Sequence, residues 1–191
     1  EVVQPEGDTC SKGSLDAIAR FSKALPVIAK ETGAGISREV ALRLRKTAVQ
    51  GIDVGGLGGT SFSAVEYFRA RSAKDSTREN VGRTFWDWGI PTPVSVVVAN
   101  VGLPVISTGG MRSGLDIAKA IAIGASSAGM AGRLLPAALE GRVELEREVE
   151  TIISELRAAM FLVGARDIAS LESVDALICG RTREWLDHLM E

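Results

Sequence analysis

Apolar and polar positions in this chain alternate in blocks. Short apolar runs, rich in β-branched residues, end in glycine-rich loops, and each loop leads into a stretch with helical spacing. Residues 26–31 (PVIAKE) read as a buried strand turning at Thr32-Gly33-Ala34-Gly35. Residues 51–55 (GIDVG) read as a second, followed by the loop Gly56-Leu57-Gly58-Gly59-Thr60. Residues 104–107 (PVIS) form the third, with the loop Thr108-Gly109-Gly110-Met111-Arg112. Residues 126–130 form the fourth, with Ala131-Gly132-Arg133 as its loop.

Helices fill the intervals. Residues 14–24 carry Leu15, Ile18, Ala19 and either Phe21 or Ser22 near helical spacing, with Ser14 as the expected N-cap. Ser37 is the expected cap of the next helix, which places Val40, Leu42 and Leu44 on its apolar side. Residues 61–71 read as helical, and 72–83, charged and polar, as a mobile excursion. A helix over 92–100 precedes the third strand. Ser113 starts another, whose apolar face is Leu115, Ile117, Ala118, Ile121 and Ala122. A long helix over 142–163 places Leu145, Val149, Ile152, Leu156, Met160 and Val163 on one stripe. Smaller helices over 167–179 and 181–190 follow.

Strand, glycine-rich loop and helix therefore repeat four times. Helical crossovers make the sheet parallel, which leaves an open doubly wound sheet or part of a (β/α)8 barrel. No G-x-G-x-x-G or Walker A pattern is present, which weakens the nucleotide-binding open sheet. Glycine-rich loops after the last two strands are where barrels bind phosphate. The expected fold class is α/β, a (β/α)8 TIM barrel represented by its C-terminal four units. Residues 1–141 would hold the β/α units and 142–191 the C-terminal helices. A whole barrel takes about 250 residues, so 191 residues with four units imply a missing N-terminal half-barrel.

Composition narrows the function. Hydrophobic residues make up 46% and charged ones 24%, an ordinary globular balance. A net charge of -2 without a basic cluster, and 5% aromatics, argue against nucleic acid. No apolar run approaches the roughly 20 residues of a membrane span, and no secretory signal is visible. Cys10 and Cys179 are the only cysteines and form no paired motif, so a reducing cytoplasm is the expected compartment. One histidine, His188, excludes a mechanism needing two.

Several residues carry candidate chemistry. The Gly109-Gly110-Met111-Arg112 loop at a helix start offers backbone N–H groups, a helix dipole and a guanidinium to a phosphate. Ala131 and Gly132 would complete the cradle. Lys30, at the end of an apolar strand, either pairs with Asp53 or Glu31 or sets a positive charge beside a cofactor ring or anion. Thr60 could cap the helix beginning at Ser61, and Glu66, two turns into that helix, is expected in solvent. Glu1, Glu6 and Asp8 are either a Mg2+ neighbourhood or a solvated loop. Trp86 and Trp88, with Ile90-Pro91, are expected in the core rather than as a ligand wall.

Five motifs occur in order: Val3-Gln4-Pro5-Glu6-Gly7-Asp8, Ala29-Lys30-Glu31-Thr32-Gly33-Ala34-Gly35, Ile52-Asp53-Val54-Gly55-Gly56-Leu57-Gly58-Gly59-Thr60-Ser61, Trp88-Gly89-Ile90-Pro91-Thr92 and Ser107-Thr108-Gly109-Gly110-Met111-Arg112-Ser113-Gly114. Together they resemble type 2 isopentenyl-diphosphate delta-isomerase, the FMN-dependent (β/α)8 enzyme of isoprenoid synthesis, in its archaeal style. The resemblance runs through nearly all of the chain. It implies that Lys30 lies beside the flavin's pyrimidine edge and that Thr60 contacts FMN. It implies that Gly109, Gly110, Met111 and Arg112, with Ala131 and Gly132, hold the FMN phosphate. Glu1 would bind the Mg2+ that bridges the substrate diphosphate, and Glu66 would be an acidic catalytic residue near the active-site water. The implied reaction is a 1,3-allylic proton shift assisted by reduced FMN, with NAD(P)H as the flavin reductant. The implied partners are a small diphosphate substrate, the missing half-barrel and further copies in a homo-oligomer. Gly55 departs from relatives that often carry Ser there. A flavin-dependent 2-hydroxy-acid oxidase would need a histidine late in the barrel. An IMP-dehydrogenase-like enzyme would need a loop cysteine between Thr60 and Trp88, where none occurs. A non-catalytic phosphate-binding half-barrel is the alternative from another class.

Overall fold

The computed structural model describes residues 12–189. Four short strands, β1 (Ile28–Lys30), β2 (Gly51–Asp53), β3 (Val105–Ser107) and β4 (Ser127–Ala128), pair in parallel in sequence order. Each is brief because only a few apolar residues separate one turn signal from the next.

Register places Ala29 beside Ile52 and Ile52 beside Val105. All three are buried in the main core with Val54, Val96, Ala99, Ala41 and Leu44. Successive strand residues point to opposite faces, so the next register row, Lys30 beside Asp53 beside Ile106, faces away from that core.

Helices supply the cover. α1 (Ser14–Ser22) lays Leu15 and Ile18 against the core but buries no residue fully. α2 (Arg38–Arg45) is capped by Ser37, as expected, and buries Ala41 and Leu44, while Val40 and Leu42 stay exposed. α5 (Thr92–Ala99) is the most buried helix, because its run of valines is apolar all round. Ser95 in it is fully buried, its hydroxyl accepting from Ile36 N–H (2.8 Å) and donating to Ile36 C=O (2.9 Å). α6 (Gly114–Ala122) buries Ala118, Ala120 and Ile121, with Leu115 turned outward. α7 (Leu134–Glu140) and α6 both pack on α8 (Arg142–Leu162). α9 (Ile168–Glu172) lies on α6, and α10 (Gly180–Leu189) lies on α5.

Four expectations need correction. The 72–83 segment is not an excursion: α4 (Ser76–Thr84) occupies most of it and packs on α3 (Phe62–Ser72). Asp75 caps α4 by accepting from Arg78 N–H, and the Glu79–Arg83 ion pair spans one turn. α1 is not capped by Ser14, because the left-handed Gly13 occupies the N-cap position. α3 is capped by Ser61 rather than Thr60. Glu66 is buried, not solvated, and pairs with Arg69 at 2.8 Å. Among the described residues no helix is long and apolar enough to cross a membrane.

Candidate functional site at the strand ends

A cleft of about 970 Å³ opens over the carboxyl ends of all four strands, within the range of small-molecule sites. Lys30, Thr60, Gly109, Gly110, Met111, Arg112, Ala131 and Gly132 all line it. Parallel pairing explains this gathering: every strand ends at the same side, so loops distant in sequence meet there.

The loops after β2 and β3 touch backbone to backbone. A Cβ on Gly109 would stand 2.1 Å from the Gly56 carbonyl oxygen, and one on Gly110 would stand 2.3 Å from that of Gly58. Both residues have positive φ, +102° and +79°, which favours glycine there. Thr92, buried at the start of α5, donates its hydroxyl to the Gly109 carbonyl at 2.6 Å and holds the loop from below. Sequence reasoning gave Thr92 no role in the site. Its signal, a hydroxyl directly after Gly89-Ile90-Pro91, is a helix-start pattern that does not reveal a loop partner.

Among the described residues, the N–H groups of Gly110, Met111, Ala131 and Gly132 meet no protein acceptor. They are donors open to a ligand in the cleft. Ser113 caps α6, its hydroxyl accepting from Asp116 N–H at 3.0 Å, so the helix begins at the cleft with its positive end toward it. The Arg112 N–H is taken by Asp116, while its guanidinium, in an exposed residue, reaches the Gly58 carbonyl only at 3.5 Å. That leaves the side chain available as a fork of donors.

Arg133 also lines the cleft and was not singled out as a site residue by the sequence. It bonds Glu148 and Glu155 of α8 (2.8 Å to the latter) and donates to the Arg112 carbonyl at 2.8 Å. These two carboxylates hold its guanidinium above its usual pKa. Glu155 in turn lies below the ordinary carboxylate range, first because of Arg133 and then because it accepts the Gly114 N–H at 2.7 Å.

At the other end, Lys30 lies 2.6 Å from Asp53, the first of its two expected partners. Glu31, the second, is engaged elsewhere: one carboxylate oxygen accepts the N–H groups of Gly33, Ala34 and Gly35 at 2.6, 2.5 and 3.0 Å. The Thr108 hydroxyl donates to Asp53 and lies 3.3 Å from the Lys30 ammonium.

Other expectations fall outside this gathering. Glu66 does not line the cleft. Glu1, Glu6 and Asp8 lie outside the described residues. No group of three or more His, Cys, Asp or Glu that could hold a metal occurs among the described residues, so these residues do not by themselves fit a Mg2+ site. His188 is exposed on α10 and lines neither the cleft nor the smaller cavity beside it. That second cavity, about 340 Å³, is walled by Phe62, Phe85 and Trp88. Trp88 is 73% exposed, against the expectation of a core position, while Trp86 is half-buried against Tyr67 and Phe68.

Residues 15–177 match the FMN-dependent dehydrogenase family. The chain belongs to that family. Among curated relatives, the isopentenyl-diphosphate delta-isomerases of Methanosarcina acetivorans and Thermococcus onnurineus are 49% and 50% identical to it. The matches cover 98% and 100% of this chain and 52% of each relative. That of Archaeoglobus fulgidus is 47% identical over 98% of this chain and 54% of its own length. The chain thus spans about half the length of the curated relatives it matches. Among solved structures, the GMP reductase of Trypanosoma brucei is 21% identical with a TM-score of 0.63, covering 92% of this chain and 40% of that one. A mandelate oxidase is 21% identical with a TM-score of 0.57, covering 84% and 40%. At this identity the likeness concerns the fold, which with the parallel sheet is of the α/β TIM-barrel type.

Proposed function

We propose that this chain carries the FMN-binding face of an isopentenyl-diphosphate delta-isomerase of the FMN-dependent type. The reaction would convert isopentenyl diphosphate to dimethylallyl diphosphate. One observation carries the reading: loops from all four strand ends, including every FMN contact that the sequence resemblance implied, line one cleft. Identity near 50% to relatives of that name supports the substrate class.

The donor set suits FMN. The N–H groups of Gly110, Met111, Ala131 and Gly132 and the Arg112 guanidinium would hold the phosphate. Strand order then sends the remainder of the molecule toward β2 and β1, where Thr60 and Lys30 would meet it. Bound in its reduced form, FMN would supply the proton donor and acceptor for the allylic shift. The shift gains a proton at one carbon and loses one at another, so composition and oxidation level do not change. The cleft's own titratable side chains do not offer a matched acid–base pair. Glu31 is tied by three N–H groups, Lys30 by Asp53, and Arg133 by two glutamates. They bind and orient.

The same reading includes a second segment of comparable length, pairing with the free edges of β1 and β4 to close an eight-stranded barrel. It includes Mg2+ as counter-ion to the substrate diphosphate, with Glu1 as its ligand, and NAD(P)H as the reductant. It also includes self-association of the completed protein and a cytoplasmic location. No step above depends on these.

The test is to supply the complete protein with FMN, Mg2+ and dithionite and follow isopentenyl diphosphate by NMR. Dimethylallyl diphosphate is expected, with loss of at least about tenfold in FMN affinity when Arg112 is replaced by Ala. Tight FMN binding with oxidation of a 2-hydroxy acid and no isomerisation would favour an oxidase. Phosphate binding without either reaction would favour a binding module.

A further inference from the structure

We infer that Asp53 is a positioning residue for the ring end of the cleft, which sets the balance between reduced and oxidised FMN by neutralising and aiming Lys30. The inference rests on the FMN reading above.

Asp53 is buried on β2, directly beside Lys30 on β1 in the register. A buried carboxylate is costly unless its oxygens are satisfied, and here both are. One lies 2.6 Å from the Lys30 ammonium. The other accepts the Thr108 hydroxyl and, at 3.3 Å, the Gly55 N–H. The Thr108 oxygen, its proton given to Asp53, is free to accept from Lys30 at 3.3 Å. The ends of β1 and β2 and the loop after β3 thus fix one ammonium. Asp53 does not line the cleft, whereas Lys30 does, with its side chain half exposed.

An ammonium has three N–H donors. Two point to Asp53 and Thr108, and the third is the one a ligand in the cleft meets. With the phosphate at the β3 and β4 loops and strands about 4.8 Å apart, β1 lies far enough away to meet the opposite, ring-bearing end. Reduced flavin carries more negative charge in that ring than oxidised flavin, so a lone ammonium there would favour the reduced form. The Asp53 carboxylate offsets it. The site keeps the hydrogen bond and loses most of the net charge.

The experiment measures dissociation constants for oxidised and dithionite-reduced FMN, anaerobically, in the complete protein. Asp53→Asn is expected to shift the affinity ratio toward reduced FMN by about tenfold, the size of one charge at such a distance in a partly buried site. Lys30→Met is expected to shift it the other way by a similar factor. The double variant Lys30→Met/Asp53→Asn, neutral like the native pair, is expected within about threefold of the native ratio. A merely structural Asp53 would weaken both affinities together, and an unchanged ratio in Asp53→Asn overturns the inference. Should Asp53→Asn not fold, the double variant still decides: a ratio equal to that of Lys30→Met overturns it. A native protein that binds no FMN overturns the FMN reading and this inference together, whereas FMN binding with an invariant ratio overturns only this one.

Discussion

Gly110 and Gly132 both line the cleft at the strand ends, yet their surroundings differ. Gly110 has φ +79° and faces the Gly58 carbonyl, so Gly110→Ala brings a clash and a strained backbone. The expected cost exceeds about 1 kcal/mol in urea unfolding of the complete protein. Gly132 has nothing within 4 Å of a built Cβ. Gly132→Ala should unfold within about 0.5 kcal/mol of the native protein, and an equal loss in both variants would contradict this geometry. Sequence reasoning placed the two glycines together because both follow strands. It had no means of separating a glycine required by a neighbouring backbone from one standing in open space. Glu66 shows the same limit: its spacing says "two turns into a helix", and only the tertiary packing around α3 decides whether that turn meets solvent.

Between elements, α8 braces the loop that follows β3. A Cβ on Gly114 would stand 2.3 Å from both Ile152 C=O and Leu156 N, so α6 and α8 approach backbone to backbone there. Glu155 completes the contact through the Gly114 N–H and Arg133. Since its folded pKa is depressed, its contribution is present above the unfolded value near 4.3 and disappears as pH falls through the lower folded value. Glu155→Gln should therefore be less stable than the native protein at pH 7, with the gap narrowing progressively below about pH 4. Urea midpoints across that range check it, and a gap independent of pH would exclude the ionic contribution. The long helix was readable from its apolar stripe, although only Ile152 and Ala159 are fully buried along it. α4 was not readable, because it has no such stripe. Its cap, its ion pair and the seat of Gly82 against the Tyr67 backbone hold it instead.

For the whole molecule the open sheet is decisive. β1 and β4 each pair on one side only among the described residues, and unpaired edges invite association. The chain on its own should elute above its 20.1 kDa monomer mass. Adding the remaining length of a curated relative as a second chain should shift it to a defined complex with improved FMN retention. Size-exclusion chromatography with light scattering decides, and a monodisperse monomer unaffected by the added segment would argue against the shared barrel.

What the amino-acid order determined by itself was local: strands where β-branched runs meet glycine, helix starts at Ser37 and Ser113, and loops able to wrap an anion. Those are properties of neighbours in the chain, set by backbone conformation and short hydrogen bonds. Tertiary structure decided what depends on distant segments. It chose Asp53 over Glu31 as the partner of Lys30, turned Arg133 toward α8, buried Glu66 and brought Trp88 out to the surface. Each outcome follows from parallel register and helix packing, which bring together residues that no local spacing relates.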